Sequence, residues 1–550
     1  MTSPSPESKA RRVEIYDTTL RDGTQGVGVS LTLTDKLAIT ALLDELGFDY
    51  IEGGYPLSNP KDVAYFDQVQ QLPLKHARVC AFGMTRKKGV APQDDPGMQA
   101  LVNSKAPVIT IVGKTWDLHV DEVLRISREE NLAMIRDSVA FCRSADHVQE
   151  VFYDAEHFFD GYRANPEYAR QTLQAAIDGG ASRLVLCDTN GGSMPGWVTQ
   201  VMDELKAKLA IDADVSPDSL PSLAIHTHND GGVAVANSQA AVAAGAVQVQ
   251  GTINGIGERC GNVDLLTVIA NLKHKLGYDC LVPGAMDRLS ELSKKVYELA
   301  ALDANPGQPY VGDNAFAHKG GMHVHAVQRI AHSYEHVPPE SVGNSRRILV
   351  SELSGRSNIA ATLGEKFGDA VTPEVQNQLL QKVQDLEHRG YQFEHAPASL
   401  ELLMYEAIGK RPAFWVRDHY RCVILGVPEE PTQTEAIVKL SVNGQLEHRV
   451  AEGDGPVNAL DAALRKCLGS HYPQIADLHL RDYAVRVVNP TAESAAKVRA
   501  TAEFEARAAD GTVRRFATLG VDENIIDASW QALSDAIQYH LIETRAEVLV

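Results

Sequence analysis

A chain of 550 residues exceeds what one hydrophobic core organises, so two to four domains are expected. With 44% hydrophobic and 23% charged residues it has the make-up of a soluble globular protein, and a net charge of −20 argues against a general nucleic-acid or anionic-membrane binder. Seven scattered cysteines without CxxC spacing, a start ("MTSPSPESKARR") without an apolar stretch, and no membrane-length apolar window suit a cytoplasmic protein without disulfides.

Residues 1–11 read as a disordered tail. From 12 to 284, short β-branched runs alternate with helical patterns. The strands are "VEIYDTT" (13–19), "DYIEGGYP" (49–56), "ARVCAFG" (77–83), "PVITIVG" (107–113), "EVFYDAE" (150–156), "SRLVLCDT" (182–189), "SLAIHTH" (222–228) and "VQVQGTIN" (247–254). Amphipathic runs such as "LTDKLAITALLDELG" (33–47) and "REENLAMIRDSVAFCRSA" (128–145) lie between them. Eight such units without a GxGxxG favour a closed (β/α)8 TIM barrel over an open doubly wound sheet. The segment 285–410 is helical and irregular. From 411 to 550 three strands and a helix occur twice, an α+β (βββα)2 module suited to binding a small ligand or to dimerising.

Polar punctuation falls at the C-terminal ends of the barrel strands, where the chemistry of this fold sits. In "HTHND", His226 and His228 are two apart on a strand and share one face. Asp22 closes the first strand, and Asn262 follows the eighth. Strands 1, 7 and 8 are neighbours in a closed barrel, so these side chains converge. One carboxylate, two imidazoles and an amide oxygen form a site for a divalent metal (Mg²⁺ or Mn²⁺, with Zn²⁺ also compatible), leaving positions open for substrate. The alternative is that Asp22 caps a helix while the histidines bond backbone or solvent. An open metal of this kind chelates a 2-oxo acid and polarises its carbonyl. Arg21 is placed to hold a developing alkoxide or a substrate carboxylate, and Glu156 and Thr189 end strands 5 and 6 at the same mouth.

"YDTTLRDGTQG", "DAEHFFDG", "CDTNGG", "HTHND", "NGIGERCGN" and "FAHKGGMHVHA", in that order, resemble the acyl-CoA-condensing TIM-barrel synthases: the 2-isopropylmalate, homocitrate and citramalate synthases. "RDGTQGVGVSLTLTDKL", "IEGGYPLSNPKD", "GKTWDLHV" and "YDAEHFFDGY" are most similar to the long (R)-citramalate synthases. Thr24 stands where isopropylmalate synthases carry Glu in RDGEQ, and "DAEHFFDG" replaces their Ser-x-Glu-Asp pattern. The resemblance implies condensation of acetyl-CoA with pyruvate to (R)-citramalate and CoA, an entry to isoleucine synthesis. The alternative is 2-isopropylmalate synthesis from 2-oxoisovalerate. It implies Asp22, His226, His228 and Asn262 as metal ligands, and Arg21, Gln25 and Thr189 as substrate-binding residues. Arg21, Glu156, His323 (in Gly-Met-His, where the family has Gly-Ile-His) and Tyr334 are implied as catalytic. It further implies a homodimer in which the linker completes the partner's active site. The C-terminal module is implied to be regulatory, with an amino-acid effector, isoleucine foremost, near "GDGPVNALDAAL" and "GVDENIIDASW".

Overall fold

The computed structural model describes residues 11–548, except 213–215, 217–218, 353, 428, 430–431, 491–492, 494–495 and 508–511. The expected tail lies outside the described residues but for Arg11. Two compact units emerge: one runs through Phe316 and includes Val337–Ser345, the other comprises Ala317–His336 and Arg346–Val550.

In the first unit eight parallel strands close on themselves. They are β1 (Glu14–Asp17), β2 (Tyr50–Gly54), β3 (Arg78–Met84), β4 (Val108–Lys114), β5 (Glu150–Glu156), β6 (Arg183–Asp188), β7 (Ser222–Thr227) and β8 (Gln248–Gly251), with β8 pairing back onto β1. All eight predicted strands are present, several of them shorter than their sequence runs. β1 stops at Asp17 because its carboxylate accepts the backbone N–H and the hydroxyl of Thr19 (3.0 and 2.7 Å), which turns the chain. Asp22 therefore lies beyond the strand, just before a short 3-10 turn at Gly23–Gln25. The first helix, Leu33–Leu46, opens on a capping box between Thr32 and Asp35 and ends at left-handed Gly47. That cap is worth about 1 kcal/mol.

Alternation sorts the strand residues. One set packs outward into the main core under the helices. The other fills the barrel: Tyr16, Tyr50, Cys80, Val108, Phe152, Val185, Cys187 and Ala224 form a separate interior cluster. Tyr16, Tyr50 and Phe152 pack ring to ring at 5.1–6.1 Å. Beneath them Arg183 pairs with Glu14 and Arg78 with Glu150, with the Arg78 guanidinium 4.4 Å from the Tyr50 ring centre. The N-terminal end of the barrel is thus filled by aromatic rings and ion pairs.

The second unit begins with a two-strand parallel ribbon, β9 (Ala317–His318) against β10 (Arg347–Ile348), which no periodic signal announces at two residues each. Helices Gly321–Arg329, Arg356–Phe367, Pro373–His388 and Pro397–Ala407 follow, with Ile359, Leu363, Leu379 and Val383 in their core. The repeat then appears as expected. β11 (Val416–Leu425), β12 (Gln433–Val442) and β13 (Gln445–Gly453) form one antiparallel sheet backed by Pro456–Leu468. β14 (Leu478–Val487), β15 (Val498–Arg507) and β16 (Val513–Asp522) form another, followed by Ile525–Val548. On β12, Ala436, Val438, Leu440 and Val442 alternate inward onto Leu460 and Leu464. The first strand of each sheet shifts register near its start, at Arg417/His419 and at Leu480/Asp482. The shared bulge position marks the two halves as copies of one unit.

Candidate active site at the barrel mouth

The interior-facing set that makes the aromatic floor continues upward as polar residues. β2 adds Glu52 above Tyr50, β5 adds Asp154 and Glu156 above Phe152, and β7 adds His226 above Ala224, with His228 just past its end. All of these but Glu52, which lies just behind Arg21, line a cavity of about 290 Å³ together with Arg21, Asp22, Gln25, Phe82, Met84, Val112, Lys114, Cys187, Thr189, Glu258 and Arg259.

Asp22, His226 and His228 are all buried, and one ligand atom of each lies within 4.8 Å of the others. Asp22 Oδ2 is 3.2 Å from His226 Nε2 and 3.9 Å from His228 Nε2. Asp22 makes no side-chain capping bond to the turn that follows it, which removes the helix-cap alternative. On its far side, His226 Nδ1 is 3.1 Å from Gln250 Oε1. The amide oxygen accepts the Nδ1 proton, which orients the ring so that Nε2 faces Asp22 and, protonated, donates to its carboxylate, a proton that a bound cation would replace. A backbone bridge joins His228 to Asn262, and Asn229 N–H donates to Gly261 O (2.9 Å), so β7 holds the loop that carries Asn262. Asn262 Oδ1 and His228 Nδ1 are buried without a hydrogen-bond partner among the described residues. Two nitrogens, a carboxylate and an uncommitted amide oxygen fit a divalent cation as donor set.

The electrostatics match. Burial alone would raise the Asp22 carboxyl, but Arg21 and the His226 bond hold it far below the usual carboxylate range. Burial and then the charge of His226 push His228 down to about 4, keeping it a neutral donor. Asp154 is pushed up to about 7 by burial and by the charge of Glu52.

Arg21 is anchored from behind. Its Nε donates to Glu52 Oε1 at 2.5 Å, its guanidinium lies 3.8 Å from the Phe82 ring centre, and the Tyr16 hydroxyl holds the other Glu52 oxygen at 2.6 Å. Glu156 pairs with Lys114 at the end of β4. Thr189 Oγ1 accepts the backbone N–H of His157 at 2.8 Å, and Gln25 lies on the cavity wall. Arg259 donates to both carboxylate oxygens of Asp230 (2.9 Å each) and to Thr189 O (2.8 Å), tying together the ends of β6, β7 and the loop after β8. Gly191 (φ +61°) permits this closure, since a Cβ there would sit 2.6 Å from the Asp230 carboxylate.

A second cavity of about 320 Å³ adjoins the first and shares Met84, Val112, Lys114 and Glu156 with it. Leu57, Leu124, Ile126 and Met134 make it mostly apolar, with Lys87 and Lys88 among its lining. The Lys114–Glu156 pair stands where the two cavities meet.

Among the sequence-predicted residues, Arg21, Asp22, Gln25, Glu156, Thr189, His226 and His228 line one cavity, with Asn262 beside His228. His323 and Tyr334 belong to the second unit, where their rings stack at 4.3 Å and 30°. Glu52, Asp154, Lys114 and Gln250 also belong to the site, although no sequence motif marks them. Their signal was an acid, amide or lysine on the inward phase of an otherwise apolar strand.

Comparison with known families agrees with this geometry. The HMGL-like family matches residues 12–296, the "Homocitrate synthase post-HMGL domain-like" family residues 310–390, and the "LeuA allosteric (dimerisation) domain" residues 394–541. The chain is 49% identical over 541 residues to an (R)-citramalate synthase of Synechocystis sp., covering 97% of both. It is 48% identical over 533 residues to one of Geobacter sulfurreducens, covering 96% of this chain and 97% of the relative. Identity to the 2-isopropylmalate synthase of Methanocaldococcus jannaschii is 31% over 531 residues, covering 96% and 94%. The chain is an acyltransferase and belongs to the (R)-citramalate synthase family.

Proposed function

We propose that the protein condenses acetyl-CoA with pyruvate and hydrolyses the thioester to give (R)-citramalate and CoA, in the cytoplasm, at the head of a route to isoleucine. The observation that carries the reading is the convergence of Asp22, His226 and His228, with Asn262 bridged to His228, beside Arg21 on a small cavity with Phe82, Met84 and Val112 as apolar wall. A divalent ion held by those four residues would act as Lewis acid toward the 2-oxo acid, and Mg²⁺, Mn²⁺ and Zn²⁺ all suit the donors.

The chain's own residues supply the rest. Arg21 binds the oxo acid and holds the oxygen that becomes an alkoxide as the carbon–carbon bond forms. Its planar fork is pre-oriented by Glu52, so little reorganisation is needed at that moment. Gln25 and Thr189 orient the oxo acid's carboxylate. A thioester methyl is a very weak carbon acid, so its proton must be taken by a positioned base while the enolate is stabilised. His323, stacked on Tyr334, is that base, and Glu156, paired with Lys114 where the two cavities meet, is a further catalytic group. The enolate carbon attacks the ketone carbon, the alkoxide is protonated, and water then cleaves the thioester. The adjoining apolar cavity suits the acyl-thioester arm, with Lys87 and Lys88 to meet phosphate. His323 and Tyr334 reach the partner's barrel in a homodimer. The C-terminal repeat binds an amino-acid effector, isoleucine first, and transmits feedback inhibition.

The test is thiol release from acetyl-CoA with pyruvate, 2-oxoisovalerate and 2-oxoglutarate in parallel. Pyruvate is expected to give the highest kcat/KM by at least about tenfold, the order of one to two methylenes in a closed pocket. A preference for 2-oxoisovalerate would assign 2-isopropylmalate synthesis instead.

A further inference from the structure

The segment that carries His323 and Tyr334 is closed on itself by charge. It leaves β9 at His318, runs through the helix Gly321–Arg329 and a 3-10 turn at Ala331–Ser333, and returns to His318 with Glu335. The Glu335 side chain is 2% exposed, and its Oε1 lies 3.1 Å from His318 Nε2. Arg346, one residue before β10, grips the same carboxylate with both arms of its fork, Nε to Oε1 at 2.6 Å and Nη2 to Oε2 at 2.5 Å. β10 in turn pairs with β9 so that Ile348 lies beside His318, and Leu349 N–H donates to His318 O at 2.9 Å. The Arg346 fork holds the Glu335 carboxyl below the usual range against the pull of burial, and the His318 bond adds to it, so the group is a carboxylate.

The residue before this carboxylate is Tyr334. The N–H groups of Tyr334 and Glu335 both donate to Ala331 O (3.2 and 3.1 Å), so there is little slack between the buried anchor and the ring beside it. The stack itself has little to hold it from outside: His323 is exposed, and Tyr334 is 49% exposed. Its position is set from behind. Apolar residues hold a loop together at least as well as a buried ion pair, but without fixing direction, whereas a bidentate fork fixes the plane of its carboxylate.

We propose that Glu335, gripped by Arg346 and His318, is a positioning residue that locks the His323–Tyr334 stack in its catalytic arrangement. The inference rests on the reading of His323 as the base. A base displaced by about 1 Å loses on the order of a hundredfold in rate without losing substrate affinity.

The experiment is a double-mutant cycle on the full chain between Glu335→Gln and His323→Ala, read as kcat and as KM for each substrate, with Tm measured alongside. Glu335→Gln is expected to lower kcat about 10- to 100-fold with both KM values within about threefold of wild type. Combined with His323→Ala it should add little to the loss from His323→Ala alone. Arg346→Lys, at a more exposed position, keeps the charge but not the fork and should fall between wild type and Arg346→Gln. These two variants carry the test if Glu335→Gln does not fold. Unchanged kcat in the Glu335 or Arg346 variants, or fully additive losses in the cycle, would overturn the proposal while leaving His323 as base. Full activity of His323→Ala would overturn the reading beneath it.

Discussion

Replacing Glu52 by glutamine asks how much of the reaction depends on the aim of Arg21. Glu52 is fully buried and makes two short bonds, to Arg21 Nε at 2.5 Å and from the Tyr16 hydroxyl at 2.6 Å, while Thr110 Oγ1 lies 2.7 Å from that hydroxyl. Glutamine keeps the shape and offers its carbonyl oxygen to Arg21. Its amide N–H then faces Tyr16, whose hydroxyl can turn to accept it and donate to Thr110. No bond is lost, but the Tyr16 bond becomes neutral and the Arg21 bond changes from an ion pair to one with a single charged partner. Bonds to a charged group contribute roughly 1.5–3 kcal/mol, so with one of its two charges gone the guanidinium loses about 1–2 kcal/mol of anchoring. If that anchoring is spent on orienting the transition state, kcat/KM for the 2-oxo acid falls about 5- to 30-fold, at about 1.4 kcal/mol per factor of ten. Thiol release against oxo-acid concentration reads this directly. Alanine is the harsher control: it strands Arg21 beside an empty space and should cost about 3–5 kcal/mol of stability. A glutamine variant whose kcat/KM stays within about threefold of wild type would refute the idea that Glu52 aims Arg21.

Two further outcomes follow from the same site. Treatment with EDTA should abolish thiol release and Mn²⁺ or Mg²⁺ restore it, and metal at about a hundred times its Kd should stabilise the protein by about 2.7 kcal/mol, raising Tm. His228→Ala should lose that Tm shift, and full activity in EDTA would rule the metal out. Asp154 titrates near 7 in the folded chain and near 4 unfolded, so it stays protonated in the fold while the unfolded chain releases the proton. Its contribution is therefore complete below about pH 4 and is lost as pH rises to about 7, by up to about 4 kcal/mol. Urea unfolding in EDTA at pH 5 and pH 8 should show a smaller loss for Asp154→Asn than for wild type. Some slope will remain from Asp17, which is also pushed up to about 7 by burial. Equal slopes in the two proteins would refute the assignment.

The barrel was legible because short β-branched runs alternate eight times with helical patterns, and strands buried on both faces keep such continuous apolar runs. The Asp22–His226–His228 cluster was legible because polar residues that follow apolar strand runs collect at one end of this fold. Asp22 lies a few residues past β1 rather than at its end, because Thr19 donates to the Asp17 carboxylate and turns the chain early, which no propensity encodes. Glu52 and Asp154 are not legible because "DYIEGGYP" and "EVFYDAE" read as strands whichever way their acids face. Only the closed barrel assigns them to its interior, where an acid needs a partner or a proton. Lys114 escaped for a different reason: its partner Glu156 is 42 residues away, and the pairing exists only through the β4–β5 register. In the second unit, His323 and Tyr334 were legible as candidates only through motif resemblance. The His318–Glu335–Arg346 grip was not, because long-range charge pairing leaves no periodic trace.

The filled floor of the barrel has a consequence for traffic. With Tyr16, Tyr50 and Phe152 packed across the interior and the Arg183–Glu14 and Arg78–Glu150 pairs beneath them, the described residues leave no passage through the N-terminal end of the barrel. What enters the cavity leaves on the side of the mouth, where the second cavity adjoins it. On the proposed function, a thioester arm in that adjoining cavity would cover an oxo acid held beside Arg21, so the smaller substrate would load first. CoA still lying there would block the next thioester and detain the new acid.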